Sequence, residues 1–182
     1  MSGYVTRADR VARLFCGVIQ DIITSRAIHE AADGHLSEAQ FCGLQFVYLH
    51  PHCCIKDLAA GLKVSHPAAV KLVERLEAKS LISRAAHERD RRIVQLTATE
   101  DGTRIAECIM EARGAAIERI LVGAAGHCKC NILDVLESFV KAALDDEKDF
   151  DGVCLRCGGS HDDECPVCET ELALTGQLRS DS

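Results

Sequence analysis

Four cysteines near the C-terminus have the spacing of a metal site. Two Cys-x-x-Cys pairs, Cys154 with Cys157 and Cys165 with Cys168, are separated by seven residues. Each pair can offer two thiolates to one ion, and two pairs complete a tetrahedral all-thiolate set. Few apolar residues surround them, so the ion would have to supply the free energy that orders a compact pair of knuckles. We expect zinc, with iron or an iron–sulfur cluster as the alternative metal and four free thiols as the alternative without metal.

Five of the other seven cysteines are candidates for sensing a metal or an oxidant. Eleven cysteines in a chain that shows no export signal favour metal or redox chemistry over a disulfide framework. Two of the candidates form a Cys-x-Cys pair beside His127, two are adjacent and follow His50 and His52, and one stands alone. For each, a packed or incidental thiol is the alternative. The five are Cys16, Cys53, Cys54, Cys128 and Cys130.

A dense run of charge in the middle of the chain lies between two alternating segments. Residues 81–84 and 93–96 alternate apolar and polar side chains, which is typical of short strands. Residues 87–92, between them, contain three arginines and a turn-favouring Asp. We therefore expect a two-stranded hairpin with a basic tip, the structure known as a wing.

Residues 65–77, before this hairpin, are predicted to form a helix that reads DNA. Ser65 is a favourable N-cap, and Pro67 lies in the first turn. A shorter helix at residues 55–62, stopping at Gly61, precedes it. Two short helices joined by a glycine-containing turn constitute a helix-turn-helix, and the second of them enters the major groove.

The polar residues of this region divide into two groups by the contact expected of each. Base edges require donors on the first turns of the second helix, a role suited to Ser65, His66 and Lys71. Phosphates and the narrow minor groove attract guanidinium and ammonium groups. Six residues suit that second role: Lys63, Arg75, Arg84, Arg89, Arg91 and Arg92.

Two of these assignments have a plainer alternative. His66 would then be an ordinary surface residue of the first helical turn. Arg75, like Lys79, would be a solvated helix charge that pairs with Glu74 or Glu77. Both alternatives stay open at the level of the sequence.

The net charge of −7 is compatible with DNA binding because the acidic residues are concentrated near the C-terminus. Residues 145–182 contain 11 acidic and 3 basic residues, which leaves a charge of +1 on the first 144. Residues 56–92 contain 9 basic and 5 acidic residues. The predicted DNA-contacting surface is therefore basic, and the acid is confined to the tail.

The rest of the chain is predicted to be helical. Apolar residues recur at helical spacing over residues 5–32. A capping box at 37–40 begins a second helix that ends near residue 49, and a capping box at 97–100 begins another helix that ends near residue 122. Residues 131–144 form the last helix. The expected fold is mainly α, with six helices and a two-stranded wing. A hydrophobic share of 47% with only 4% aromatic residues indicates an aliphatic core.

Several of these segments carry a family resemblance over residues 5–144. Residues 36–40, 56–59, 64–65, 73–82, 90–92 and 96–97 resemble, in order and spacing, the MarR family of winged helix-turn-helix regulators. Two positions depart from that pattern, since Ser80 replaces a usual Gly and Cys54 replaces a usual Ser or Thr cap. Cys16 lies where a peroxide-sensing branch of the family has a reactive cysteine, but its neighbours supply no basic group, which favours a packed thiol.

The resemblance implies an obligate homodimer whose N- and C-terminal helices interlock. Each recognition helix would enter a major groove and each wing a flanking minor groove, with Asp90 bracing Arg92. The implied divisions are a dimerisation helix at 1–36, a winged helix-turn-helix lobe at 37–97, dimerisation helices at 98–145 and an acidic tail with a metal knuckle at 146–182.

The expected function is that of a regulator of transcription, and no catalytic motif points to an enzyme. A dimeric repressor would bind an inverted-repeat operator and leave it when a small molecule, metal or redox signal arrives. One alternative is a regulator whose cysteines are themselves the input, and a further one is a metal-carrier or electron-transfer protein. No segment has the length of a membrane span, and a cytoplasmic protein with no membrane partner is expected.

Overall fold

The computed structural model of the protein describes residues 3–32, 35–86, 94–125, 131–144, 150, 153 and 165–176, and these are mainly helical. Helix α1 is continuous through α-helical Gly3–Gly17, π-helical Val18–Thr24 and α-helical Ser25–Ala32. The other elements are α2 (Glu38–Leu49), β1 (Cys53–Cys54), α3 (Ile55–Gly61), α4 (His66–Ala78), β2 (Ile82–Ala86), β3 (Val94–Ala98), α5 (Glu100–Ala125), α6 (Ile132–Ala142) and α7 (Pro166–Thr175).

Two predicted helix starts are confirmed and a third is wrong by two residues. At α2, the Ser37 hydroxyl accepts from the Gln40 N–H at 3.3 Å, and the Gln40 side chain accepts from the Ser37 N–H at 3.0 Å. At α4, the Ser65 hydroxyl accepts from the Ala68 N–H at 3.4 Å. At α5, the cap is Thr99 rather than Thr97, because the Thr99 hydroxyl accepts from the Gly102 N–H at 3.0 Å.

The predicted two-stranded wing is part of a three-stranded antiparallel sheet. Strand β3 pairs with β2 on one side and with β1 on the other, with Cys53 opposite Leu96. Two residues are too few to show an alternating pattern, so the pairing of β1 leaves no signal in the sequence. The tip of the wing, residues 87–93, lies outside the described residues.

The main core is aliphatic, as predicted, and draws on every element of the winged helix. Side chains from α2, α3, α4, β3 and α5 pack into one cluster and exclude solvent almost completely. The largest of them are Phe41, Leu44, Val47, Leu58, Val73, Leu76, Leu96 and Ile109. This core fixes α4 between the sheet and α2, so that one face of α4 is left for solvent.

A second, smaller core joins α6 to α7. Leu144, Phe150 and Val167 are buried together, and the Lys141 ammonium is 2.5 Å from the Glu169 carboxylate. The six helices predicted from the sequence are therefore seven in the described residues, because α7 was not expected. Its first turn contains Cys165 and Cys168, the second pair of the predicted metal site.

Glycine at position 102 is required where α5 passes the start of the sheet. A β-carbon on Gly102 would lie 1.9 Å from the Leu81 carbonyl oxygen, a backbone atom that cannot move aside. On the same helix, a β-carbon on Gly114 would meet nothing within 4 Å.

We predict opposite effects of the same substitution at these two positions. Gly102→Ala should lower the free energy of unfolding by about 3 kcal/mol, since the added methyl group overpacks against backbone. Gly114→Ala should raise it by about 0.5–1 kcal/mol, because alanine favours an unobstructed helix. Urea unfolding followed by circular dichroism measures both, and equal stability of Gly102→Ala and the unmodified protein would contradict the close approach.

Candidate nucleic-acid interface and adjoining cavity

One face of α4 is free to contact DNA. Ala69, Val73 and Leu76 recur at helical spacing and have exposed fractions of zero, which turns this face to the core. The opposite face is exposed, and the predicted contact residues of the helix lie on it or at its start: Ser65, His66, Lys71 and Arg75. Lys63 is also exposed, in the turn before α4, where its φ of 53° is left-handed.

The basic residues around this face differ in whether they form hydrogen bonds or ion pairs with other groups of the protein. The Arg84 guanidinium is only 28% exposed, and its Nε lies 3.0 Å from Oε2 of Glu77. Lys79 donates to the carbonyl oxygen of His35 at 2.5 Å. In the described part of the chain no ion pair involves Arg75, so the pairing with Glu74 or Glu77 that would have explained it is absent there.

Several predicted site residues lie outside the described residues. They include the wing residues Arg89, Asp90, Arg91 and Arg92, the cysteines Cys128 and Cys130, and the first pair of the tail, Cys154 and Cys157.

A cavity of about 470 Å³ lies beside the helix-turn-helix, between its helices and those that flank it. Its apolar lining includes Phe41 and Phe46. Its polar groups come from all sides: Gln20 and Thr24 from α1, Cys42 and Gln45 from α2, and Arg113 from α5. Such a mixture, mostly apolar with a few convergent polar groups, is typical of a small-molecule site.

Arg113 is the only charged residue among the described residues that line this cavity. Its guanidinium carbon lies 5.9 Å from the centre of the Phe41 ring, within the range of a cation–π contact. Arg113 was not among the predicted site residues, although the sequence contains a signal for it. It follows buried Ile109 by one helical turn, so the charge interrupts an apolar stripe. A cation on a mostly apolar wall favours an amphipathic anion as ligand.

The described cysteines do not come together as a metal site. Among the residues that the structure describes, no three potential ligands form a group suited to an ion. Cys16 was expected to be a packed thiol, but it is exposed on α1. Cys54 precedes α3 and donates its N–H to Asp57 at 2.9 Å, and Cys53 is buried. Burial, with smaller contributions from Asp57 and Cys54, raises the pKa of Cys53 to about 12.

Cys42 lines the cavity with a thiol that is held in its neutral form. Burial and the Glu38 carboxylate raise the pKa of Cys42, and Arg113 opposes them with a smaller effect. A raised pKa lowers the thiolate fraction, so Cys42 serves the cavity as a small apolar surface rather than as a nucleophile.

Apolar side chains remain exposed on the helices that flank the winged helix. Val11, Leu14 and Phe15 on α1 are 48–63% exposed, and Val122 on α5 and Phe139 on α6 are both 70% exposed. No described helix combines the length and the apolar character required to cross a membrane. Uncovered apolar surface of this extent marks an interaction surface.

A small sheet beside a helix-turn-helix defines a winged-helix protein, and comparison with known proteins indicates which class. Residues 36–94, about a third of the chain, match the model of the MarR family. An uncharacterized HTH-type transcriptional regulator, YwhA of Bacillus subtilis, is 31% identical over 84 residues, which are 46% of this chain and 60% of YwhA. The match thus spans less than two thirds of that relative.

Solved structures of similar fold extend the resemblance beyond the winged helix. RV1404 from Mycobacterium tuberculosis superposes with a TM-score of 0.66 at 24% identity, covering 81% of this chain and 99% of RV1404. Streptococcus pneumoniae FabT, solved in complex with DNA, superposes with a TM-score of 0.56 at 18% identity, covering 72% of this chain and 99% of FabT. These likenesses show a shared winged-helix fold, and the match to the MarR family model covers residues 36–94.

Burial and a raised pKa predict that Cys53 is chemically inert. At about pH 8, a pKa of about 12 leaves roughly one thiol in 10,000 as the reactive thiolate, and this fraction grows only as the pH rises toward the pKa. We expect iodoacetamide to modify exposed Cys16 and Cys108 in the folded protein and to leave Cys53 unmodified, as measured by peptide mass spectrometry. Denatured protein, in which every thiol should react, is the control, and equal rates at Cys53 and Cys16 in the folded protein would contradict the prediction.

Proposed function

We propose that the protein is a homodimeric MarR-type regulator that binds operator DNA through α4. The observation that supports this most directly is the composition of α4, with a fully buried apolar face and an exposed opposite face that carries Lys71 and Arg75. A helix presented in this way can enter the major groove while the sheet beside it supports the wing. FabT, which has a similar fold, was solved in complex with DNA, and this supports DNA as the proposed partner of this chain.

A second copy of the chain is the proposed cover for the exposed apolar residues. They lie on α1, α5 and α6, the elements that flank the DNA-binding lobe in sequence. Two copies joined through these helices would present two α4 helices to one duplex. An inverted repeat with half-sites about one helical turn apart is the matching operator.

The cavity beside the helix-turn-helix is the proposed site of a small-molecule effector. Its walls come from α1, from α5 and from the DNA-binding lobe, so a ligand there contacts both parts of the protein. Because Arg113 supplies a cation to a mainly apolar cavity, the proposed ligand is a small amphipathic anion. Its binding would release the operator only to the extent that it favours one arrangement of these helices over another.

The four-cysteine site in the tail remains part of the proposal. Cys165 is half-buried at the N-cap position of α7, and Cys168 lies in the first turn of this helix with an exposed fraction of 3%. Two thiols three residues apart on one turn suit half of a thiolate set, and Cys154 and Cys157 would supply the rest. Zinc would then fix the tail beside α6, and iron is the alternative metal.

A regulator whose thiols are the input is the second candidate function. It is favoured by the position of Cys165, which packs against the same small core as Val140 of α6, since a change at this thiol would reach that helix through the core. A metal-carrier or electron-transfer protein is a third candidate, and it predicts metal binding without operator binding.

Substitutions on α4 should separate the two kinds of DNA contact. Lys71→Ala should cost about 1–3 kcal/mol of discrimination between the preferred and a random duplex, whereas Arg75→Ala should weaken binding to both and lower the salt slope by about one. The measurement is fluorescence anisotropy on duplexes selected from random sequence, at several salt concentrations.

Arg13→Ala is the matched control for these variants, since Arg13 is an exposed arginine on α1 paired with Asp9. It should leave duplex affinity within about twofold of the unmodified protein. A salt-independent affinity, or a monomer in sedimentation at the concentrations used, would contradict the proposed function.

The tail should bind about one metal ion per chain. The ion should be lost when Cys154 and Cys157 are both changed to Ser, while the dimeric core stays folded because its own packing does not involve the tail. Metal analysis and visible absorption on anaerobically purified protein distinguish colourless zinc from iron.

The double variant Cys16→Ser/Cys108→Ser, at two exposed thiols, is the control and should retain the ion. A structural site should leave operator affinity nearly unchanged when the tail cysteines are removed, and a sensing site should shift it by about 1–3 kcal/mol. Protein that purifies without metal and takes up neither zinc nor ferrous iron would exclude the metal site.

A further inference from the structure

We infer that the π-helical segment Val18–Thr24 of α1 is a switch that couples the cavity to the exposed apolar face of the same helix. The inference rests on the proposed function, because it supplies the means by which an effector in the cavity would alter a dimeric DNA-binding protein. It depends on three observations: the hydrogen bonds that hold the segment, its place in the cavity wall, and the contrast between the two halves of α1 that it joins.

Two side-chain hydroxyls bond to backbone carbonyl groups five residues earlier, the same spacing that the backbone N–H groups of a π-helix have from their acceptors. The Thr24 hydroxyl donates to the Ile19 carbonyl oxygen at 2.9 Å, and the Ser25 hydroxyl donates to that of Gln20 at 3.4 Å. The Ser25 N–H is also directed to the Gln20 carbonyl. A π-helix is rare and occurs mostly as a single turn inside an α-helix, so the α-helix is the alternative form of these seven residues.

The same segment forms the α1 side of the cavity. Gln20 and Thr24 are the α1 residues that line it, and Thr24 is only 3% exposed. A ligand in the cavity therefore lies against the side chain whose hydroxyl holds the π-helical turn. Any ligand that competes for this hydroxyl or for the space beside it changes the balance between the two helical forms.

The two halves of α1 differ in what holds them. In Ser25–Ala32, Ala27 and Ile28 are buried against the main core, so this half is fixed. In Gly3–Gly17, Val11, Leu14 and Phe15 face solvent. A π-helical segment contains about one residue more than the α-helix it replaces, so conversion to α would rotate the N-terminal half by roughly 100° about the helix axis. That rotation would redirect the apolar face proposed to contact the second copy.

Two variants of this segment should have opposite consequences. Thr24→Val removes the hydroxyl and keeps the shape, so it should shift the segment toward α and rotate the N-terminal half. Deletion of Asp21, an exposed residue outside the cavity lining, removes the additional residue and should give a continuous α-helix with both halves in their present phase. Duplex affinity should therefore fall at least tenfold in Thr24→Val and stay within about threefold of the unmodified protein after the deletion.

Thr170→Val is the matched control, because the Thr170 hydroxyl donates to the Pro166 carbonyl at 2.7 Å in an ordinary α-helical turn of α7. It should leave duplex affinity unchanged. Sedimentation and circular dichroism report whether each variant is dimeric and folded. An unchanged affinity in Thr24→Val would overturn the inference, as would equal losses in Thr24→Val and the folded deletion variant. If the deletion variant does not fold, the duplex affinity of Thr24→Val compared with that of Thr170→Val tests the inference by itself.

Benzoate, a small apolar anion, tests the effector separately. In the unmodified protein it should bind by calorimetry and weaken duplex binding, and Arg113→Ala should reduce benzoate affinity at least tenfold. The Asp21 deletion variant should still bind benzoate but remain bound to its DNA duplex. If benzoate releases the duplex from this variant as readily as from the unmodified protein, the coupling is refuted. Absence of benzoate binding to the unmodified protein would count against the proposed anionic effector alone, since the comparison of Thr24→Val with the deletion needs no ligand.

Discussion

The backbone at Leu81 connects α4 to the long flanking helix α5. The Leu81 N–H donates to the Leu76 carbonyl at the end of α4 at 3.0 Å, and its carbonyl accepts from the Thr99 N–H before α5 at 3.1 Å. Gly102 packs directly on that carbonyl. Because these contacts are between backbone atoms, α4 and α5 cannot shift independently at this point, and any change that moves α4 must act elsewhere in the fold.

The second connection between the lobe and α5 is made by side chains, and it borders the cavity. Arg113 lies over Phe41, and the Tyr48 hydroxyl donates to the Glu107 carboxylate at 3.0 Å. These contacts are more easily exchanged than the backbone contacts at Leu81, since both the cation–π pair and the exposed hydrogen bond have solvated alternatives. The fold therefore combines a rigid connection at the sheet with an adaptable one around the cavity.

The sequence predicted the parts of this fold that depend on neighbouring residues. The Ser37–Gln40 capping box and the Ser65 cap are local, and both are confirmed. At α5 the local pattern favoured Thr97, which has Glu100 three residues later, but Thr99 caps the helix and its N–H bonds to the Leu81 carbonyl. Strand β1 and the cavity arise from residues that meet only in the folded chain, so no periodicity in the sequence reveals them. The π-helical segment is held by contacts five residues apart, which the helical spacing of apolar residues over 5–32 does not reveal. The roles of the proposed DNA-contacting and metal-binding residues stay predictions.

The position of the cavity determines how a bound molecule could act on DNA binding. A ligand there contacts α1 through Gln20 and Thr24, the lobe through Phe41 and Phe46, and α5 through Arg113. Since Leu81 fixes α4 to α5, the element with the most freedom to respond is α1, whose N-terminal half lacks buried anchors among its described side chains. An effector needs to distinguish two helical forms by only about 1–3 kcal/mol to act as a regulator. The exchange of two hydroxyl–carbonyl hydrogen bonds, at about 1 kcal/mol each, is of that size.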